Sequence, residues 1–397
     1  MSWTSVIGQQ RVSDALRRTI STERVAHAWL FYGPEGVGKR AAAIAYGKAL
    51  LCEQGGDEAC GACSSCGRVD RMVHPDLHIL MPYPSDADPA DIGERIRLIG
   101  QNPYAAVDFV RRPSLDDPTR SSNKQALYTV ARVQEEMCRA MSFQPVEGRY
   151  KVAVVSDAEH LRTDAANMFL KMLEEPPPKT VFILTTSRAD RILATIVSRC
   201  RRLRFDPLTP EAIEQALIGK EGVAPELAAT LARMADGSYT AGLDLAKNED
   251  LRALRELVLD FSRAAYSRNV GKIADIVERT ARFGRDQVGH VLELLLRWIR
   301  DLMLYRAMGG AAPLVNVDQA EAIAGFTERL PKADIEAMAS VVEEAIVLVR
   351  SNVHVALTLT VLAGELGEAM RGPHSGKLYM PLSDAYGGKD ASLGRTG

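Results

Sequence analysis

The 397-residue sequence lacks a charge imbalance and is poor in aromatic residues. Its 49 lysine and arginine residues nearly balance 51 aspartate and glutamate residues, and aromatic residues make up 6% of the chain. A nucleic-acid-binding module typically combines a basic surface with aromatic side chains on which bases stack. The composition therefore argues against a zinc-stabilised DNA-binding module, and any contact with DNA must be local or shared with partner proteins.

Export signals and membrane-spanning segments are also missing from the sequence. Charged side chains precede any sustained apolar stretch at the N-terminus, which argues against a secretory signal peptide. The most apolar stretch, residues 292–304, contains two arginines and two acidic residues, whereas a spanning helix needs about 20 mostly apolar residues. We therefore expect a cytoplasmic protein without membrane contacts, whose six cysteines form no stabilising disulfides.

Two kinds of hydrophobic pattern divide the chain. Short apolar runs at residues 28–32, 77–81, 152–155 and 181–185 alternate with amphipathic helical patterns. This alternation predicts an α/β domain with a largely parallel sheet covered by helices. From Pro210 onward, apolar residues recur three and four positions apart, which predicts helices only.

Shifts in composition set the predicted domain boundaries. We expect the α/β domain at residues 1–206, a small helical subdomain at 207–250 and a larger helical domain at 251–370. Residues 82–124 contain several prolines and no sustained periodicity, which predicts an insertion within the α/β domain. Residues 371–397 are rich in glycine and serine with few aliphatic side chains, which predicts a flexible tail.

A glycine-rich loop follows the first predicted strand and precedes a helical pattern. Such a context is typical of a phosphate-binding P-loop, in which glycines let backbone N–H groups approach phosphate oxygens. We expect the lysine beside the terminal phosphates. The next residue, an arginine, replaces the usual hydroxyl that ligates magnesium, and arginine has no acceptor. We predict a P-loop fold with weakened metal–nucleotide binding. Whether the loop still binds ATP, or serves only the fold, stays open. The candidate residues are Gly33, Gly36, Gly38, Lys39 and Arg40.

The end of the third apolar run also departs from an ATPase pattern. A magnesium-dependent ATPase needs acidic residues at this strand end, one to hold the metal and one to orient the attacking water. Ser156 takes the metal-holding position and Asp157 the water-orienting position. An ordinary polar strand end explains Asp157 and Glu159 as well. Together with Arg40, Ser156 predicts little or no ATP hydrolysis by this chain alone.

Four of the six cysteines crowd together, at Cys52, Cys60, Cys63 and Cys66. Their spacing and the intervening glycine-rich turns suit a tetrahedral zinc site. Because four thiolates leave no open coordination position, such a site is structural and not catalytic. An iron–sulfur cluster and free thiols remain alternatives, and His74 or His78 could replace one cysteine ligand.

Several motifs along the chain resemble those of one family. The ordered set resembles the delta-prime subunits of the bacterial DNA polymerase III clamp loader, which are AAA+ proteins related to the tau/gamma motor subunits. The resemblance covers most of the chain. Besides the P-loop and the cysteine cluster, its motifs are Val6-Ile7-Gly8-Gln9, His27 to Phe31, His74-Pro75-Asp76, Ala165-Ala166-Asn167, Leu170 to Pro177, Ser198-Arg199-Cys200 and Asn352 to Leu357.

The resemblance implies a fold and a set of partners. It implies an AAA+ domain, a three-helix lid at 207–250 and a helical collar at 251–370 that assembles a heteropentamer with tau/gamma and delta subunits. That complex loads the sliding clamp on primed DNA. A zinc module with four cysteine ligands, at residues 52–66, belongs to the same pattern.

The resemblance also implies roles for single residues. Arg199 is expected to act in trans as an arginine finger at the ATP site of a neighbouring subunit. Lys171 lies on a helix whose counterpart also faces the neighbour's nucleotide. Thr186 takes the place of the polar residue that senses nucleotide in motor members. Segment 237–243 lacks the arginine that senses nucleotide from the lid in those members.

Two hypotheses about function follow. In the first, the chain is a non-motor stator subunit of the clamp loader, with little or no intrinsic catalysis. The alternative is a tau/gamma-like AAA+ motor ATPase. Arg40, Ser156 and the missing lid arginine favour the first hypothesis. No paired-carboxylate polymerase site is visible, so we expect polymerisation to belong to another subunit.

Overall fold

The computed structural model describes residues 2–115, 125–247, 251–351 and 353–379, the side chains of residues 252 and 286 excepted. The chain divides into two compact units, Met1–Lys247 and Asn248–Gly397. Residue 352, at the start of the motif that resembles the collar, and residues 380–397 of the expected tail lie outside the described residues.

A five-stranded parallel sheet forms the centre of the first unit. The strands lie in the order β2-β3-β4-β1-β5. Because all of them run parallel, their carboxyl ends meet at one edge, where Tyr32 of β1 pairs with Thr186 of β4. The strands are β1 (Ala28–Tyr32), β2 (Leu77–Leu80), β3 (Lys151–Val155), β4 (Thr180–Thr186) and β5 (Arg201–Arg204).

Helices surround the sheet and complete the first unit. A π-helical segment, Val133–Arg139, joins α5 to α6, and short 3₁₀ helices lie at Trp3–Ser5, Ala158–His160 and Ala189–Arg191. Helices α9, α10 and α11 pack on one another. The helices are α1 (Gln10–Ser21), α2 (Lys39–Leu51), α3 (Ser64–Asp70), α4 (Pro89–Gln101), α5 (Val130–Arg132), α6 (Ala140–Ser142), α7 (Thr163–Glu174), α8 (Ala194–Val197), α9 (Pro210–Glu221), α10 (Pro225–Met234) and α11 (Tyr239–Lys247).

Both faces of the sheet are buried. On one face, Leu30 and Phe182 pack in a cluster with Phe169 of α7. On the other face, the Trp29 ring meets that of Tyr46 on α2, with centroids 5.9 Å apart. Strands buried on both faces are continuous apolar runs in sequence, which is why the first four strands could be predicted. The predicted α/β fold with a parallel sheet is confirmed.

The sequence does not predict β5. Three of its four residues are arginines, a pattern typical of a solvated basic face. The strand lies at an edge of the sheet and pairs with β1, so its side chains need no apolar cover. The guanidinium groups of Arg201 and Arg202 stack over the rings of Trp29 and Tyr32, at 5.2 and 4.9 Å from the centroids. Charged side chains on an edge strand also discourage pairing with other chains.

Helix α4 lies inside the predicted insertion, where the sequence shows no sustained periodicity. Its start carries a local signal, because the Asp88 carboxylate accepts the N–H of Ala90 at 2.9 Å and Pro89 occupies the first turn. Arg95 is fully buried in this helix and donates to the carbonyl oxygens of Val107 and Arg112 at 2.6 and 2.7 Å. The helix therefore fixes the chain that follows it.

The second unit is helical, as predicted. Helix α14 packs on α16, and α17 contacts α12, α13 and α16. Buried side chains such as Leu295, Ile299 and Val341 form its core. The helices are α12 (Leu251–Ser267), α13 (Val270–Ala281), α14 (Arg285–Met308), α15 (Ala320–Arg329), α16 (Ile335–Arg350) and α17 (Val355–Ala369), with 3₁₀ helices at Gly309–Ala311 and Val317–Gln319.

Residues 371–379, the first part of the predicted tail, contact this unit. Leu378 is buried, and its N–H donates to the Glu344 carboxylate at 2.6 Å. The His374 N–H donates to Asp334 at 3.2 Å. Residues 371–379 of the predicted flexible tail thus pack on the second unit, through the buried Leu378 side chain and through hydrogen bonds that also include those of the Arg371 guanidinium and the His374 ring.

Within the described ranges, no helix combines the length and the apolar character that crossing a membrane requires.

Candidate functional site

The glycine-rich loop connects β1 to α2 at the edge where the strands end. Gly36 and Gly38 have φ angles of 71° and 98°, values that glycine adopts without steric penalty. A Cβ atom on Gly38 would lie 2.6 Å from the Tyr104 hydroxyl oxygen, and one on Gly36 would collide with the Ser238 hydroxyl. The loop therefore needs glycine at both positions, for conformation and for space.

Lys39 begins α2 and turns back onto the loop. Its ammonium donates to the carbonyl oxygen of Gly33 at 2.7 Å and to that of Pro34. Burial lowers the pKa of Lys39 to about 8, although nearby carboxylates, foremost that of Asp157, oppose the shift. The lysine that binds phosphates in a P-loop thus donates its hydrogen bonds here to carbonyl groups of the loop itself.

The acidic residues after β3 have different surroundings. Glu159 accepts hydrogen bonds from the N–H and the hydroxyl of Ser187 at 3.1 and 2.9 Å, which commits it to the loop after β4. Asp157 lines the space beside the glycine-rich loop, as does Ser156. The hydroxyl oxygen of Ser156 is buried and has no hydrogen-bond partner among the described residues.

Thr186 lies at the buried end of β4. Its hydroxyl accepts the N–H of Arg188 at 2.9 Å, and its carbonyl accepts the N–H of Gly33 at 3.3 Å. Thr185, not Thr186, lines the space beside the loop. Thr186 therefore joins the ends of β1 and β4, and its role in nucleotide sensing stays a prediction.

A cavity of about 50 Å³ lies at the glycine-rich loop. Pockets for small molecules usually measure about 300–1,000 Å³, so the cavity is several-fold smaller than a typical small-molecule pocket. Five predicted residues line it, namely Gly36, Gly38, Lys39, Arg40 and Asp157. The other lining residues are Pro103, Tyr104, Arg111, Ser156, Thr185 and Thr240.

Arg111 supplies the central charge of this site and is not predicted from the sequence. Its Nε lies 3.0 Å from Oε2 of Glu35, its Nη1 3.1 Å from Oδ2 of Asp108, and its Nη2 3.4 Å from Oδ1 of Asp157. No local pattern marks this arginine in the sequence. Only the folded chain brings it from the insertion to the glycine-rich loop and the end of β3.

Arg111 and its three carboxylate partners, Glu35, Asp108 and Asp157, form the Arg111 cluster, in which opposite charges of the same chain compensate one another. Burial raises the pKa of Asp157 to about 6, and Asp108 adds to the shift, while Arg111 opposes it. Burial acts to lower the pKa of Arg111, but the carboxylates of Asp108, Asp157 and Glu35 raise it above its ordinary value. The guanidinium therefore stays charged and serves several carboxylates at once.

Arg40, at the position of the usual magnesium-ligating hydroxyl, fastens the insertion to α2. Its Nε donates to the carbonyl oxygen of Pro103 at 2.8 Å, and its guanidinium also donates to that of Ala105. This position thus binds the protein's own backbone.

The four predicted cysteines meet at the other end of α2. Their sulfur atoms all lie within 4.8 Å of one another, and those of Cys60 and Cys66 are 4.0 Å apart. Tetrahedral zinc, with Zn–S bonds of about 2.3 Å, holds its sulfur ligands about 3.8 Å apart. The described residues therefore form a four-sulfur cluster that can hold a metal ion, made of Cys52, Cys60, Cys63 and Cys66.

Backbone N–H groups point at these sulfurs. The N–H groups of Cys60, Cys63 and Cys66 donate to the sulfurs of Cys52, Cys60 and Cys63, each at 3.4 Å. Such bonds from Ala62 and Cys63 lower the pKa of the Cys60 thiol to about 6, whereas burial raises that of Cys66 to about 12. A cation is needed to hold all four as thiolates.

Arg199 and Lys171 lie at the surface of the first unit. The Arg199 side chain is 35% exposed, and its guanidinium pairs with Glu174 at 2.7 Å and donates to the Thr195 carbonyl at 3.0 Å. Lys171 is exposed on the same helix as Glu174, one turn before it. Neither residue lines the cavity at the glycine-rich loop.

Comparison with known proteins identifies relatives of the chain. It is 29% identical over 349 residues to the DNA polymerase III subunit delta' of Bacillus subtilis, which covers 87% of this chain and 92% of that protein. It is 24% identical to the subunit tau of the same organism, over 86% of this chain and 57% of that protein. It is 26% identical to the subunit gamma/tau of Mycobacterium tuberculosis, over 92% of this chain and 61% of that protein.

The chain thus spans most of the delta' relative but less than two thirds of these tau and gamma/tau relatives. A family described as "DNA polymerase III, delta subunit" matches residues 8–209, just over half of the sequence. The glycine-rich loop, the cysteine cluster and the partly exposed Arg199 all lie in this matched region. The chain belongs to the DNA polymerase III, delta subunit, family.

Proposed function

We propose that this chain is the delta-prime, or stator, subunit of a DNA polymerase III clamp loader and supplies Arg199 to the ATP site of a neighbouring subunit. The observation that carries this proposal is the placement of Arg199, whose guanidinium lies at the surface, away from the small cavity at the chain's own glycine-rich loop. Because the Arg199 guanidinium does not contribute to the glycine-loop site of its own chain, it is available to the ATP site of a neighbouring subunit.

The contacts of Arg199 are weak enough for its guanidinium to leave them and bind a phosphate of a neighbouring subunit's nucleotide. Its partner Glu174 is 49% exposed, and the bond to the Thr195 carbonyl is the second tie that orients the guanidinium. An exposed ion pair contributes less than about 1 kcal/mol, so the arginine can leave Glu174 at small expense. Planar guanidinium donors match phosphoryl oxygens, and an arginine finger accelerates hydrolysis at the site it serves by about 10³–10⁵.

Lys171 supports the same surface. It lies one turn before Glu174 on α7 and is exposed, which leaves its ammonium accessible to a docked partner. We assign it a secondary role in contacting the neighbour's nucleotide.

The proposal also assigns the remaining parts of the chain. The cysteine cluster, Cys52, Cys60, Cys63 and Cys66, binds structural zinc and stabilises the excursion after α2. Helices α9 to α11 correspond to the lid, and the second unit is the collar that assembles with tau/gamma and delta subunits. The assembled complex loads the sliding clamp on primed DNA in the cytoplasm, and this chain alone does not hydrolyse ATP.

The experiment is a reconstitution of the complex from this chain, its tau/gamma and delta partners, the clamp and primed DNA. We expect no ATPase activity from the isolated chain and DNA-stimulated activity from the complex. Arg199→Ala should reduce turnover at the site it serves by about a thousandfold, which appears as loss of that site's share of ATP hydrolysis and as loss of clamp loading.

A matched control is Arg97→Ala, because Arg97 is also exposed and paired with one carboxylate, that of Glu94. Size-exclusion chromatography is used to check that both variants assemble. ATP hydrolysis by the isolated wild-type chain, or an Arg199→Ala complex as active as the Arg97→Ala complex, would overturn the proposal and favour a tau/gamma-like motor.

A further inference from the structure

The insertion after β2 reaches the glycine-rich loop and is anchored there from several sides. Arg40 of α2 binds the carbonyl oxygens of Pro103 and Ala105. The Tyr104 hydroxyl accepts the N–H of Ile7 at 2.8 Å, and the Tyr104 carbonyl accepts the hydroxyl of Thr240 at 2.9 Å. The N-terminal segment, α2 and α11 therefore all hold the same few residues of the insertion.

Tyr104 occupies space directly beside the loop. Its side chain is buried, and its ring packs edge-on against that of Tyr239, with centroids 4.9 Å apart. Its hydroxyl stands so close to Gly38 that even a methyl group there would lie 2.6 Å away. Tyr104 also lines the cavity at the loop, so a ligand that needs more space there must displace this ring.

Arg111 closes the opposite side. Its guanidinium reaches from Glu35 within the loop to Asp157 at the end of β3, with Asp108 as a third partner. A P-loop protein holds its phosphates and their metal between these two elements. Here the same interval contains an internal cation with three carboxylate partners.

We propose that residues 103–111 form an internal plug of the P-loop site, in which Tyr104 fills the space and Arg111 replaces the metal-bound phosphates as the group that the site holds. The inference deepens the proposed function, on which it rests for the expectation that this chain does not hydrolyse ATP. A plugged site differs from one that has lost its phosphate-binding residues, because the loop, its lysine and its glycines are still present. Substituting the residues that cover them should therefore open the site.

The plug also opposes nucleotide binding electrostatically. A phosphate that drew Arg111 to itself would leave Glu35, Asp108 and Asp157 without their shared partner, and these carboxylates would repel the phosphate. Exclusion thus has two parts, a steric one from Tyr104 and an ionic one from the Arg111 cluster.

The test opens the plug with the double variant Tyr104→Ala/Arg111→Ala. Binding of Mg·ADP is measured by isothermal titration calorimetry, since magnesium can occupy the carboxylates that Arg111 leaves. We expect no measurable binding to the wild type at millimolar Mg·ADP and binding at least about tenfold tighter than that limit by the double variant. Adding Lys39→Ala to the double variant should abolish the gain, and Arg97→Ala in the wild type should produce none.

A second measurement needs no variant. Amide hydrogen exchange of residues 33–40 in the wild type should be the same with and without millimolar Mg·ADP. Ligand-induced protection there, or calorimetric binding to the wild type, would overturn the plug. A folded double variant that binds no Mg·ADP would overturn it as well. The Arg199→Ala result is independent of these outcomes, because the reconstituted complex reports on Arg199 whether or not the plug opens.

Discussion

The two ends of helix α2 carry two candidate ligand sites that differ in how their charges are satisfied. At its start, the glycine-rich loop meets the guanidinium of Arg111, whose partners are three carboxylates of the same chain. At its end, four cysteine sulfurs accept hydrogen bonds from backbone N–H groups and lie within 4.8 Å of one another. One site holds its own cation, and the other gathers ligands for one.

A motif can therefore be present in the sequence without its residues being free to bind the expected ligand. A glycine-rich loop with its lysine is a strong sequence signal for phosphate binding, yet the folded chain directs that lysine at its own carbonyl groups. The cysteine spacing is a signal of the same strength, and there the fold brings the predicted ligands together. What distinguishes the two sites is the space and charge that distant residues leave at each.

The largest expected effect concerns the cysteine end. Removing the metal, or replacing one ligand by Cys60→Ser, should destabilise the first unit by about 5 kcal/mol, less than the about 10–16 kcal/mol of isolated zinc-finger peptides, because the sheet retains its own core. Thermal unfolding after chelation and zinc content by mass spectrometry measure this effect. Purified wild-type protein should contain one zinc ion per chain.

Cys138→Ser is the matched control, because Cys138 lies outside the cluster. It should leave the zinc content unchanged. Wild-type protein that contains no metal and melts like Cys60→Ser would remove the contrast between the two ends of α2.

The second effect concerns the glycine-loop end. Arg111→Ala should destabilise the first unit by about 2–3 kcal/mol, because it removes the cation that pairs with the buried Asp108 and the largely buried Asp157. Breaking a fully buried pair costs about 3–5 kcal/mol, and Arg111 keeps some exposure. Urea unfolding measures the change, with Arg97→Ala as a control expected below about 1 kcal/mol. Equal effects of the two variants would show that the Arg111 cluster holds no essential charge.

Local patterns in the sequence were sufficient wherever neighbours along the chain determine the structure. The first four strands follow from apolar runs, and the cysteine cluster follows from spacing within one short segment. The edge strand β5 could not be predicted, since its arginines satisfy backbone pairing without an apolar face. Helix α4 offered only the Asp88-Pro89 start signal, and its amphipathic pattern is interrupted by the buried Arg95.

The occupied state of the P-loop site could not be predicted for a different reason. Arg40 and Ser156 indicate a weakened site, but neither shows what takes the place of the ligand. Tyr104 and Arg111 reach the loop through contacts between residues as far apart as Ile7 and Tyr104, or Arg111 and Asp157. Such pairs depend on the path of the whole insertion, which no periodicity in a single sequence reveals.

A third, smaller effect is the pH dependence of the Arg111 cluster. The pKa of Asp157 is raised to about 6 from its ordinary value of 3.8, so the folded state holds this proton more tightly than the unfolded state. Its contribution to stability is fully present below about pH 4 and is lost as the pH rises to about 6. Asp157→Asn should remove this fall, on the order of 2 kcal/mol after allowance for partial exposure.

The measurement is the difference in free energy of unfolding between wild type and Asp157→Asn from pH 4 to pH 7. Asp190→Asn serves as a control, because Asp190 is exposed and has a lowered pKa. A difference that stays constant over this range would contradict the raised pKa of Asp157.

The smallest effect compares two glycines that have the same φ angle, one at the start of α2 and one in the segment that follows α2. Gly38 and Gly56 both have φ of 98°, so alanine introduces similar backbone strain, about 1 kcal/mol, at each. Nothing lies within 4 Å of a Cβ on Gly56, whereas one on Gly38 meets the Tyr104 hydroxyl. Gly38→Ala should therefore destabilise the first unit by about 1 kcal/mol more than Gly56→Ala, and Tyr104→Phe should reduce that excess, as a double-mutant cycle measures. Equal losses for the two alanine variants would mean that Tyr104 does not press on the loop, and the steric half of the plug would fail while the Arg111 cluster could still be tested by itself.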